Sequence, residues 1–252
     1  MVSIFNWKQK YPDLEWMAVD MHSHILPSID DGCETLMQSV GILKRLENLG
    51  LKKFFFTPHI MRDLYPNTVE IIAQKYAELE KEDEISHLMG GFAAEYMVDS
   101  SLEYIIQNEP KNLLELPGGY VLLELSYMDE CKTIEKVIFN LQMQGKNPIL
   151  AHPERYLFYH KEPRKLQRFK EIGCLLQVNL LSSIGYYGKN ECTVANYLAG
   201  KGWIDLIGTD LHHERHFKAI EIGLQRRNMQ SQFKKCKILN EELFNKVPSS
   251  IA

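Results

Sequence analysis

Short apolar runs and longer amphipathic stretches alternate along this chain. Runs of about four to eight apolar residues bounded by turn formers read as buried strands. Seven stand at Trp16–His22, Lys52–Thr57, Leu88–Glu95, Tyr120–Leu125, Asn147–Ala151, Cys174–Val178 and Ile204–Gly208. Between them, Glu34–Leu49 carries Leu36, Val40, Leu43 and Leu46 at helical spacing and stops at Gly50, a favourable residue just past a helix end. Asn67–Glu84, Asp129–Gln144, Pro163–Ile172, Cys192–Lys201, Glu214–Arg227 and Gln232–Asn245 also have helical patterning. A repeated strand-then-helix unit favours one α/β domain over residues 1–252, a distorted TIM-like (β/α)7 barrel. An open doubly wound sheet is the alternative.

Imidazoles and carboxylates close six of the seven runs, and the sixth run ends Gln177-Val178-Asn179. The first run ends at His22-Ser23-His24, with Asp31 in the loop beyond, and the second at Thr57-Pro58-His59. The next ones supply Glu95, Glu124 and His152, and the last supplies Asp210 and His212. His22 and His24 are two apart, so both point to the same side of an extended chain. In a parallel barrel all these ends share one rim, where active sites form. Carboxylates brought together repel one another unless cations lie between them. A mixed imidazole and carboxylate set suits zinc, manganese or iron better than calcium.

Each residue also has a plainer reading. A lone histidine after a strand is usually a hydrogen-bonded structural group. Asp30, Asp31 and Gly32 could form a turn and a helix cap. The weight lies in the recurrence at successive strand ends. His87, His160, His213 and His216 do not share it and are expected at the surface or behind the site.

Composition narrows the classes. The net charge of −4, from 29 basic and 33 acidic residues, implies no broad basic face for nucleic acid. Met1–Tyr11 has no apolar run long enough for a signal peptide or a membrane span. The five cysteines are scattered, as in a cytoplasmic protein with reduced thiols. None precedes an arginine by six positions, so a thiol-dependent phosphatase is not expected.

Taken together, His22-x-His24, Asp31, Thr57-Pro58-His59, Glu95, Glu124, His152-Pro153-Glu154-Arg155-Tyr156 and Asp210-x-His212 resemble the PHP (polymerase and histidinol phosphatase) superfamily. Within it, His22 to Gly32 and His152 to Tyr156 resemble the bacterial manganese-dependent protein-tyrosine phosphatases of capsule and exopolysaccharide loci. The resemblance implies a barrel holding three divalent ions, manganese, with iron or zinc as options. His22, His24, Glu95 and Asp210 would hold the first ion. Glu95, Glu124 and His152 would hold the second, and Asp31, His59 and His212 the third. Asp20 and Asn179 would support a ligand or touch substrate.

The expected reaction is attack on a phosphomonoester by a metal-bound hydroxide. Arg155, three residues past His152, is the candidate catalytic and phosphate-gripping residue. Its plainer reading is a surface arginine paired with Glu154. Arg62 and Tyr65, just past His59, are candidates for the substrate entrance. The resemblance alone names the partner: phosphotyrosine on the C-terminal tail of a bacterial tyrosine kinase. Two alternatives stand beside it. One is a small-molecule phosphatase of the same superfamily, such as one acting on histidinol phosphate. The other is a metal-stabilised module that binds the kinase without chemistry.

Overall fold

Parallel strands running in chain order build the sheet. A computed structural model of the chain describes residues 13–245. Met1–Tyr11, expected to hold no signal peptide, lies outside the described residues. The first expected strand is only β1 (Val19–Asp20) in regular pairing, because Ala18 takes a positive φ of 56° just before it. The second is β2 (Lys53–Phe56), and beyond the expected range a further strand, β3 (His59–Ile60), follows the break at Thr57-Pro58, where proline has no N–H to give the ladder. Its neighbour follows the break, as β4 (Met89–Phe92) and β5 (Glu95–Met97). The two chains stay side by side through it, with Ala93 N donating to Phe56 O at 2.8 Å and Glu95 N to Pro58 O at 3.1 Å. β6 (Tyr120–Glu124), β7 (Asn147–Ala151), β8 (Leu175–Asn179) and β9 (Leu206–Gly208) match expectation within about two residues.

The strand order is β1-β2-β4 in one sheet and β3-β5-β6-β7-β8-β9 in the other, all parallel. The ends then meet. Ser23 and Leu211 form a parallel bridge, Asp210 N donates to His22 O at 2.9 Å, and His24 N donates to Leu211 O at 3.0 Å. The sheet is therefore a closed, distorted barrel rather than the open alternative.

The helices follow the apolar periodicity. They are α1 (Leu36–Asn48), α2 (Val69–Glu80), α3 (Ser100–Asn108), α4 (Ile134–Met143), α5 (Gln167–Glu171), α6 (Leu180–Ser183), α7 (Lys189–Lys201), α8 (Glu214–Arg226) and α9 (Asn240–Phe244). The side chains of Thr35, Thr68 and Asp99 cap α1, α2 and α3. Helix α3 lies outside the expected helices, although Leu102, Ile105 and Ile106 recur in it at helical spacing. Pro163–Ile172 and Gln232–Asn245 each begin as a 3-10 turn, and only Gln167–Glu171 and Asn240–Phe244 are α-helical.

Strand pleating divides the core in two. Val121 and Leu123 of β6 face the helices, with Leu150, Leu176, Val178 and Ile207 from the next strands. Leu122, Ile149, Ala151, Leu175 and Leu206 face inward, where Met21, Phe55 and Ala93 join them and Phe244 closes the floor. Two residues above Leu122 and Leu175 on the same faces come Glu124 and Gln177. The barrel is thus apolar below and polar at its rim.

Asn240 closes the lower end. Its buried side chain accepts from Ile207 N at 3.0 Å and donates to Val19 O at 2.9 Å and to Ile207 O, joining β9 to β1. Replacing it by alanine strands these buried groups. Asn240→Ala is expected to lower unfolding free energy by about 2–4 kcal/mol. Urea titration reads this as an earlier midpoint, and an unshifted midpoint would refute the bridging role.

Candidate metal centre

The strand ends bring all nine of the expected ligand-type side chains to one rim; seven are buried, His212 is partly exposed and Asp31 is exposed. Two of the turns that lift them are strained. His152 and Asp210 take positive φ values of 29° and 50°, which non-glycine residues adopt only when their surroundings enforce it.

His22 and His24 do point the same way. Their Nε2 atoms are 3.2 Å apart. Glu95 Oε2 lies 3.3 Å from each, and Asp210 Oδ1 lies 3.5 Å from His22 and 3.4 Å from His24. The opposite ring nitrogens fix the tautomers. His22 Nδ1 faces Gln177 Oε1 at 2.8 Å, and His24 Nδ1 faces the Asp30 carboxylate at 2.7 Å. Both partners only accept there, so both Nδ1 atoms carry hydrogen. Both Nε2 lone pairs then point at each other and at two carboxylate oxygens. Protonating both would instead aim two N–H bonds at one another across the same gap. A cation among the four atoms resolves either conflict, so this donor set fits a divalent ion.

The charges agree. Burial works against charging His22, but Glu95 and Asp210 outweigh it and push its pKa up to about 9. Burial likewise opposes charge on His24, and Asp30 and Glu95 hold it well above the usual imidazole range. Burial opposes ionisation of Glu95, yet His22 and His59 hold it well below the usual carboxylate range. The carboxylates demand positive charge here.

Two further groupings share these residues. His59 Nδ1 is 3.1 Å from Glu95 Oε2 and 3.4 Å from Glu124 Oε2. All three atoms are buried with no hydrogen-bond partner among the described residues. Asp31 Oδ1 lies 3.5 Å from both His59 Nε2 and His212 Nε2. His212 Nδ1 donates to Asp210 O at 2.9 Å, which leaves its Nε2 lone pair free toward Asp31. His152 sits between sets: its Nε2 is 2.9 Å from Glu95 Oε1 and 3.8 Å from Glu124 Oε1. His22, His152 and Asp210 also cluster tightly enough to share an ion.

A surrounding layer holds these side chains. Asp20 accepts from Thr209 N at 3.0 Å, from the Thr209 hydroxyl, and from His22 N at 3.4 Å, pinning two ligand-bearing strands together. Gly208 leaves room for this layer, since a Cβ there would stand 2.7 Å from both Gln177 Nε2 and His22 Cβ. Asp30 also accepts from His59 N at 3.1 Å and from Gly32 N at 2.9 Å. It therefore orients two histidines, while the helix cap that follows is Thr35.

Arg155 pairs with Asp210, not Glu154. Its Nη1 donates to Asp210 Oδ2 at 2.8 Å, and Asn179 Nδ2 donates to the same oxygen at 2.7 Å. The guanidinium lies between the Tyr127 and Tyr187 rings, 4.8 and 4.2 Å from their centroids. Tyr127 donates to Glu124 Oε1 at 2.9 Å, so it ties that carboxylate to the arginine. Glu154 is buried and accepts from Asn179 N at 2.9 Å. Tyr65 stacks on His59, and Arg62 is exposed on the hairpin between them.

The other histidines lie outside the cage. His87 is exposed and pairs with Glu47, and His160 contacts Glu154 O at 3.0 Å. His213 packs against the His216 ring, and His216 Nδ1 accepts from His212 N at 3.2 Å. The cysteines are all free. Burial pushes Cys33 up to about 11 and Cys174 up to about 12, the opposite of an activated nucleophile. Sequence reasoning gave no part to Gln177, Asp30, Tyr127 or Tyr187. Gln177 and Asn179 end the same strand, which was the available signal. The two tyrosines stand in loops whose paths only the fold reveals.

Comparisons with known proteins bear on the family and the fold. Residues 18–249 match the family described as capsular polysaccharide synthesis, CpsB/CapC. The chain is 26% identical over 200 residues to the tyrosine-protein phosphatase YwqE of Bacillus subtilis, covering 77% of each protein. It is 24% identical over 203 residues to the tyrosine-protein phosphatase CpsB of Streptococcus pneumoniae, covering 77% of this chain and 83% of that one. A crystal structure from work on YwqE and CpsB, described as unique metal-dependent tyrosine phosphatases, superposes with a TM-score of 0.73 at 22% identity. It covers 87% of this chain and 96% of that one. With the matched segment spanning nearly the whole barrel, the chain belongs to the CpsB/CapC family of capsular polysaccharide synthesis.

Proposed function

We propose that this protein is a metal-dependent protein-tyrosine phosphatase. Its substrate is phosphotyrosine on the C-terminal tail of a bacterial tyrosine kinase that controls capsular or exopolysaccharide synthesis. The observation that carries this reading is the set of imidazole lone pairs and carboxylate oxygens converging without hydrogens to share. The relatives named tyrosine-protein phosphatases support the substrate class.

In this reading His22, His24, Glu95 and Asp210 hold one ion, Glu95, Glu124 and His152 a second, and Asp31, His59 and His212 a third. Manganese is the native ion. Bound there, divalent ions would stabilise charge on the phosphoryl oxygens and make water acidic enough to attack near neutral pH. The chain's own groups do the rest. Arg155 keeps Nη1 on Asp210 and turns the rest of its fork to the phosphate. Tyr127 and Tyr187 hold that fork in place from both sides. The leaving tyrosine oxygen has a pKa of about 10, so it departs without a strong general acid. Arg62 and Tyr65 line the approach beside His59.

Metal analysis of protein purified without chelator is expected to find manganese, with three ions per chain. Chelation should abolish hydrolysis of a phosphotyrosine peptide, and added manganese should restore it. Unchanged turnover after complete metal removal would end the proposal, and turnover of histidinol phosphate alone would end its substrate assignment.

Glu95→Ala removes the carboxylate common to two sites. It is expected to lower kcat at least about a thousandfold and to reduce bound metal, with the circular dichroism spectrum unchanged. Normal turnover in this variant would refute the ligand assignment.

Arg155→Lys keeps the charge but loses the planar fork. A fall in kcat/KM of about a hundredfold is expected, with metal content retained. A lysine variant with parental kcat/KM would remove Arg155 from phosphate binding.

A further inference from the structure

A second cationic site lies beside the rim, outside the cage. The loop after α6 and the exposed side of α8 enclose a cavity of about 450 Å3. Arg215, Lys218, Ile222 and Arg226 follow one another along α8 at helical spacing, all exposed, and Arg227 and Tyr186 complete the lining. Gly223 lets the helix approach closely, since a Cβ there would come within 2.9 Å of Ile184 Cδ1. The cations are largely uncommitted. Arg215 and Arg226 have no ion pair among the described residues. Lys218 lies 3.9 Å from Glu214, but Glu214 is already held by two nitrogens of Arg45, one at 2.8 Å.

The cavity neighbours the reaction site through packed rings. Tyr186 forms its wall and meets the His216 ring at 5.2 Å, and His216 meets the His212 ring at 5.5 Å. The next residue, Tyr187, lies against Arg155. A polypeptide whose phosphotyrosine reaches Arg155 would therefore pass over the Tyr186–Tyr187 step and bring its neighbouring residues to the cavity.

We propose that this cavity is a docking site for an acidic or additionally phosphorylated segment of the same polypeptide substrate, held by Arg215, Lys218, Arg226 and Arg227. The proposal rests on the phosphotyrosine-protein reading above and adds the sequence context it prefers. Charge complementarity favours this occupant. A lipid surface suits the patch less well: it is concave, Ile222 is the only large apolar side chain that α8 exposes on it, and the chain's net charge of −4 opposes an anionic bilayer.

The test compares a phosphotyrosine peptide flanked by glutamates with its glutamine-flanked counterpart, using the holoenzyme and a Lys218→Glu, Arg226→Glu variant. The parent protein should prefer the glutamate peptide by about tenfold in kcat/KM at low salt. The variant should lose that preference while hydrolysing p-nitrophenyl phosphate normally. A Lys218→Gln, Arg226→Gln variant should fall between them, which separates charge loss from misfolding. A parent without the preference, or a reversed-charge variant that keeps it, overturns the proposal. So does a variant whose only change is weaker sedimentation with phosphatidylserine vesicles. Fluorescence anisotropy of the labelled glutamate peptide provides a readout independent of turnover. If no phosphotyrosine compound is hydrolysed, the functional reading fails, yet binding that the reversed charges abolish still supports docking. Equal binding by parent and variant overturns it.

Discussion

Three buried carboxylates facing one another are the constraint on which the rest of this structure depends. Glu95, Glu124 and Asp210 have side chains no more than 2% exposed and cannot share one rim as anions without positive charge between them. Among the described residues, imidazoles are the cationic groups packed directly among them, with Arg155 at the edge. Protons on those imidazoles give an incomplete answer, because neighbouring ring nitrogens would then oppose one another. Cations give a complete one. The barrel must therefore be rigid enough to hold a charged cage that its own side chains leave unbalanced.

That rigidity comes from the division between floor and rim. Below, period-two alternation fills the barrel with Leu122, Ile149, Leu206 and Phe244, and Asn240 joins the first strand to the last. Above, Asp20 clamps the same two strands through Thr209. Gln177, Asp30 and the Asp210 carbonyl then set the protons on His22, His24 and His212. Each keeps its hydrogen on the outer nitrogen and its lone pair turned inward. Gln177 reaches His22 from β8 across the barrel, whereas Asp30 and the Asp210 carbonyl act within the loop or strand end of their own histidines.

Much of this was legible before any coordinates. Apolar runs and turn residues placed seven strands, and their polar ends named the cage, because strand ends in a parallel barrel must share a rim. The breaks in two strands were less legible. Pro58 hints at one, but the other, at Ala93-Ala94, has no proline and shows only in the pairing, which resumes in register beyond it. Helix α3 was legible in principle, since Leu102, Ile105 and Ile106 recur at helical spacing behind the cap Asp99, but it is only nine residues long. Arg155 was found, but its partner was not. Sequence adjacency suggested Glu154, whereas the turn after His152 sends Glu154 into the core and the guanidinium toward Asp210.

Asp210 joins the cage and Arg155 into one site. Its Oδ1 faces His22 and His24, and its Oδ2 receives Arg155 and Asn179. One carboxylate thus presents an oxygen to each half. Because the carboxylate is rigid, a shift of Arg155 toward a phosphate would be felt inside the cage, and a change of charge in the cage would be felt by Arg155. The stacked Tyr127 and Tyr187 limit that movement, and Tyr127 adds a second link through Glu124. In the proposed function, phosphate recognition and cation binding would therefore be coupled through two carboxylates. An arginine placed elsewhere on the rim would supply the same charge without this coupling.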